Sequence, residues 1–121
     1  SGGSGAPGSS TPAALQLSAA LQLPSAADVL VVGGGQSGLC VAYWLQQLAP
    51  ALRVAVVDEH AAVGDAWARR WDSLALFSPA EYSQLPALAW SELVPPPALP
   101  FPTKDDAARY VRAFAHKHAL H

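Results

Sequence analysis

Three glycines at fixed spacing, Gly33-x-Gly35-x-x-Gly38, follow directly on the apolar run Asp28-Val29-Leu30-Val31-Val32 and open a stretch with no further glycine, and no proline before Pro50. A β-branched run of this kind is what a buried parallel strand looks like. The apolar positions Leu39 and Tyr43, with Val41, Leu45 and Leu48, predict a helix from Gln36 to Ala49 that Pro50 ends. Arg53-Val54-Ala55-Val56-Val57-Asp58 predicts a second strand. Strand, helix and strand within about 31 residues form one βαβ unit, whose crossover is right-handed.

The glycine spacing carries chemistry as well as shape. The first glycine lets the chain turn sharply, the second lets the backbone approach a pyrophosphate, and the third lets the helix pack on the strand. Phosphates then sit on the free N–H groups of the first helical turn, where Gln36 and Ser37 stand. Asp58 follows Gly38 by 20 residues, the offset of the acid that accepts ribose hydroxyls, with Glu59 as its competitor. The plain alternatives are an ordinary tight βα turn and a solvated strand-end acid. The order of strand, glycines, helix and acid favours a nucleotide. An acid at this point repels a 2′-phosphate, so the pattern suits FAD or NAD better than NADP. It does not separate FAD from NAD.

Outside this unit the chain is less regular. Residues 1–26 hold no charged group before the Asp28 strand and repeat Ala-Ala-Leu-Gln-Leu, which reads as a tail or linker, although Ala14–Leu23 suits a short helix. Residues 27–121 then form the folded part. The tail lacks the basic start of a secretory signal and the arginines of an organelle-targeting peptide, so the cytoplasm is expected, with organelle targeting left open. Between Ala61 and Pro102 the prolines Pro79, Pro86, Pro95-Pro96-Pro97 and Pro100 disfavour long elements, leaving room for a helical turn over Asp65–Asp72. Thr103-Lys104-Asp105-Asp106 is a variant capping box ahead of a helix whose apolar face carries Ala107, Tyr110, Val111, Phe114 and His118. Arg109, Arg112, His116 and Lys117 lie opposite.

Composition narrows the function classes. Seven basic residues without a run and a net charge of -2 give no face for nucleic acid. The longest apolar run, Leu39–Leu45, is far short of the ~20 residues of a membrane span. Cys40, the single cysteine, makes no disulfide framework and reads as a small buried residue. His116, His118 and His121 lie at the end of a helix without a supporting acid or thiol cluster, so no metal site is expected. Asp105 and Asp106 suit capping better than acid–base catalysis. No nucleophile with an adjacent base is present, and no catalytic residue is assigned.

Further motifs follow the glycines in order: Val63-Gly64-Asp65-Ala66-Trp67, Arg70-Trp71-Asp72-Ser73-Leu74-Ala75-Leu76-Phe77-Ser78-Pro79, Leu85-Pro86, and Phe101-Pro102-Thr103-Lys104-Asp105-Asp106. Together with Gly33–Gly38 they resemble the class B flavin-dependent monooxygenases, including their plant auxin-forming branch and bacterial flavoproteins linked to potassium transport. The resemblance covers nearly all of Asp28 to Leu120. It implies an FAD enzyme whose flavin is reduced by NADPH and activates oxygen. Gly33, Gly35 and Gly38 would then hold the pyrophosphate and Asp58 the ribose, while Gly64 and Trp67 shape a turn against the nucleotide and Arg70 adds positive charge or a surface ion pair. Ala68 and Ala75 stand where the family often has basic residues, and Phe77 where some members carry a polar one.

The family's second glycine fingerprint, for NADPH, does not occur in these 121 residues. The fold expected is therefore α/β, the N-terminal portion of a doubly wound Rossmann-like FAD-binding domain, incomplete and inactive alone. Its partners would be FAD and either itself or a longer flavoprotein chain. The alternatives are a catalytically inert nucleotide-binding or interaction module and a small NAD-binding protein. Two parallel strands do not bury both faces of a sheet. Unless residues 61–121 supply cover, the chain should be partly molten or associate through exposed apolar surface.

Overall fold

A computed structural model of the chain describes residues 25–93 and 95–120. The expected tail, apart from Ser25 and Ala26, and the expected Ala14–Leu23 helix lie outside them. The described elements run β1 (Val29–Val32), α1 (Gln36–Leu48), β2 (Val54–Val57), α2 (Asp65–Ala68), 3-10 turns at Ala80–Ser83 and Trp90–Glu92, and α3 (Lys104–Lys117). No helix among them is long and apolar enough to cross a membrane.

β1 and β2 pair in parallel with Val29 opposite Val54 and Val32 opposite Val57. Outside the paired residues the Asp28 carboxylate binds the Arg53 backbone N–H at 2.8 Å and its guanidinium at 2.9 and 3.0 Å, which fixes the start of the register. α1 is the crossover, as the apolar spacing predicts, and it ends one residue before the expected Ala49. Its Leu39 and Ala42 are buried.

The core lies between α1 and α3 rather than within the sheet. Leu39 and Ala42 join Ala107, Tyr110, Val111, Phe114 and Ala115 of α3 in one buried cluster, closed by Leu85, Leu88, Trp90, Leu93 and Leu120. Tyr43 packs against Phe114 and His118 with ring centroids at 5.8 and 4.7 Å. Residues 61–121 thus supply more cover than two strands suggest. That cover is one-sided: on β1, Leu30 is 53% and Val32 80% exposed, while the intervening Val29 and Val31 are partly covered.

The proline-rich stretch is irregular but anchored. Leu76 N–H donates to Pro102 O and Lys104 N–H to Leu74 O, at 2.8 and 2.9 Å, so the chain entering α3 lies antiparallel beside residues 74–76. The expected helical turn over Asp65–Asp72 closes at Ala68. There the Lys104 ammonium, on a buried residue, donates to the Ala68 carbonyl at 2.9 Å and so ties α2 to the start of α3.

Candidate functional site

The glycine fingerprint forms the turn between β1 and α1. Gly33 N–H continues the ladder by donating to Val57 O at 2.7 Å, and its φ of +106° then swings the chain out of the sheet. Such a conformation disfavours any side chain. Gly38 is needed for a different reason: a Cβ there would stand 1.8 Å from Gly33 O and 3.3 Å from Val31 Cγ1. The first turn of α1 rests directly on the fingerprint backbone.

Gly35 is the N-cap of α1 and gives it no side-chain cap. The N–H groups of Gly35, Gln36, Ser37 and Gly38 have no partner among the described residues. A Cβ at Gly35 would meet nothing within 4 Å. Unpaired N–H groups at the positive end of a helix favour an anion.

Asp58 stands at the matching end of β2. Its Oδ2 accepts the Gly34 N–H at 2.7 Å, bridging the two strand ends. Its Oδ1 accepts both the backbone N–H and the imidazole Nδ1 of His60, each at 2.7 Å. The His60 backbone N–H, then the Gly34 N–H, hold its carboxyl below the usual value against the opposing effect of burial. The acid is ionised at neutral pH. Val32, Gly33, Val57, Asp58 and Glu59 border an open cleft of about 420 Å³ at this end of the sheet.

The second turn comes close to the first. Gly34, Gly35, Asp58, Gly64 and Trp67 border one narrow gap of about 10 Å³. Gly64 has φ +86°, and a Cβ on it would lie 2.7 Å from Ala108 O, so its lack of a side chain seats α2 against the backbone of α3. Arg112 secures the same turn by donating to Val63 O at 2.7 Å and to Asp65 at 3.3 Å.

The structure therefore brings Gly33, Gly35, Gly38, Asp58, Gly64 and Trp67 together, with Gln36 and Ser37 on the first turn of α1 and Glu59 on the cleft wall. Arg70 borders neither space; its Nε donates to Ala66 O at 3.2 Å and the side chain is exposed. Two residues that hold Asp58 escape the sequence reading, Gly34 and His60. Gly34 lies at an unassigned position of the fingerprint. The signal for His60 is its place two residues after an aspartate, where a backbone N–H meets the carboxylate in an Asx turn.

Most of the chain is similar to known proteins. Residues 28–119 match the family FAD dependent oxidoreductase. An uncharacterized CzcO-like oxidoreductase of Geobacillus kaustophilus is 41% identical over 93 residues, 77% of this chain and 25% of the relative. The indole-3-pyruvate monooxygenase YUCCA8 of Oryza sativa is 37% identical over 93 residues, 75% of this chain and 20% of that one. Among solved structures, a flavin-containing monooxygenase from Stenotrophomonas maltophilia superposes with a TM-score of 0.67 at 37% identity, covering 78% of this chain and 27% of its own. The chain spans about a quarter of the length of the curated relatives it matches.

Proposed function

The chain belongs to the FAD dependent oxidoreductase family, and from that premise we propose that it holds the adenosine diphosphate end of FAD for a flavin-dependent monooxygenase-like oxidoreductase. The observation that carries this reading is the meeting of unpaired N–H groups on Gly35, Gln36, Ser37 and Gly38 with the ionised Asp58 at one end of the sheet. The space in front of Gly35 is open, and the lack of a side chain there leaves it free for the approach of pyrophosphate oxygens. Gly33 and Gly38 give the turn its shape and Asp58 takes the ribose. Gly64 and Trp67 brace the wall behind the fingerprint, and Glu59 lines the cleft. Arg70 adds positive charge to the face without touching the nucleotide.

FAD, when bound, supplies a flavin that takes a hydride from NADPH and activates dioxygen. This chain's own residues bind and orient the nucleotide, and none of them is assigned a catalytic role. The acids Asp58 and Glu59 favour FAD over a 2′-phosphorylated dinucleotide. NADPH and the substrate are met by other parts of an oxidoreductase, so the chain by itself does not turn over.

Calorimetric titration with FAD, NADH and ADP tests this. The expected result is weak, reversible binding of FAD and ADP that Asp58→Ala abolishes, with no oxidation of added NADPH. Tight stoichiometric retention of yellow FAD with NADPH oxidation would show a self-sufficient enzyme, and preference for NADH over FAD would make the chain an NAD-binding protein.

A further inference from the structure

Asp58 is not a bare strand-end acid. Oδ1 accepts two hydrogen bonds from His60, the backbone N–H and the imidazole Nδ1, while Oδ2 accepts one, from Gly34. An ionised carboxylate offers about two lone-pair sites on each oxygen. Oδ1 is therefore filled, and Oδ2 has one site left. Because its partner is a carboxylate that only accepts, Nδ1 of His60 carries the proton whether the ring is neutral or charged. The neighbouring charges do not compete for His60: Asp65 is taken by Arg112, Arg69 and the Ala62 N–H, and Glu59 faces the cleft.

We propose that His60 is a positioning residue that restricts Asp58 to a single hydroxyl of the adenosine ribose. The inference rests on the nucleotide reading above and deepens it. An acid with both oxygens open can take the vicinal 2′- and 3′-hydroxyls, one on each oxygen. Here the imidazole occupies the oxygen that the second hydroxyl needs. Asp58 fixes the ribose through Oδ2 alone, and the other hydroxyl is left to solvent.

The test is titration of the chain with ADP, 2′-deoxy-ADP and 3′-deoxy-ADP. One deoxy analogue should bind about tenfold more weakly than ADP, the loss of one hydrogen bond to a charged group, and the other should match ADP. In His60→Ala the penalty should be shared between the two analogues. His60→Asn places an amide N–H near the position of Nδ1 and should restore the one-sided pattern. Equal penalties for both analogues in the wild-type chain, or none, overturn the role of His60 while the nucleotide reading stands. A one-sided pattern that persists in folded His60→Ala also overturns it. Absence of ADP binding overturns both. Should His60→Ala fail to fold, the wild-type comparison and His60→Asn decide.

Discussion

Tyr110 is fully buried, and its hydroxyl serves two backbone groups at once: Leu85 N–H donates to it at 2.7 Å, and it donates to Leu88 O at 2.6 Å. The phenol thereby closes the tight turn through Pro86 and Ala87, while its ring stacks on Trp90 with centroids 4.0 Å apart. Burial pushes its ionisation above the usual value, so it stays a donor. Tyr110→Phe keeps the stack but leaves Leu85 N–H and Leu88 O without their partner. The expected loss is about 1–3 kcal/mol, the cost of unsatisfied buried polar groups; the midpoint of urea unfolding, followed by tryptophan fluorescence, checks it. Sequence spacing assigns Tyr110 to an apolar face and says nothing of a hydroxyl whose partners lie 22 and 25 residues upstream. Asp58 was legible in the same partial way. Its distance from the glycines suits it to the ribose role proposed above, whereas the occupation of its two oxygens depends on how Gly34 and His60 are brought to it.

At the level of elements, α3 is the most completely written in sequence. Thr103 Oγ1 accepts the Asp106 N–H at 3.1 Å, and Asp106 Oδ2 accepts the Thr103 N–H at 3.0 Å, as the capping pattern implies. Burial raises the Asp106 carboxyl, but the Arg109 guanidinium and the Thr103 donors outweigh it and hold the value below the ordinary range. A carboxyl lowered on folding stabilises the folded state above its unfolded value, about 3.9, and that stabilisation is lost as pH falls through the lower folded value. Helicity should therefore drop as pH falls below about 4. Asp106→Asn should flatten that acid limb and cost about 1 kcal/mol at neutral pH, both measurable by circular dichroism against pH and urea. β1, α1 and β2 are nearly as legible, their bounds lying within one residue of those the sequence pattern implies. The two 3-10 turns and the early end of α2 are not, since their bounds follow from tertiary anchors such as Lys104 on Ala68 rather than from local pattern.

For the whole molecule the uneven cover of the sheet dominates. α1 shields one face of β1 and β2, and α3 adds a core to α1, but the face carrying Leu30 and Val32 stays open. Exposed apolar surface of this kind binds apolar dyes and drives association. The chain should enhance the fluorescence of an anilinonaphthalene dye and sediment faster as its concentration rises, and the pair Leu30→Lys with Val32→Lys should reduce both several-fold without unfolding α3. A dye-silent chain of constant sedimentation would count against this. The separation of sheet from core also bears on how the chain acquires its shape. β1, α1 and β2 are contiguous, so their pairing can begin as soon as Val57 has left the ribosome. Leu39 finds Phe114 only once α3 has been made, and until then the fingerprint turn is held by its own hydrogen bonds, the Gly34–Asp58 bridge among them. α3 is what locks α1 in place.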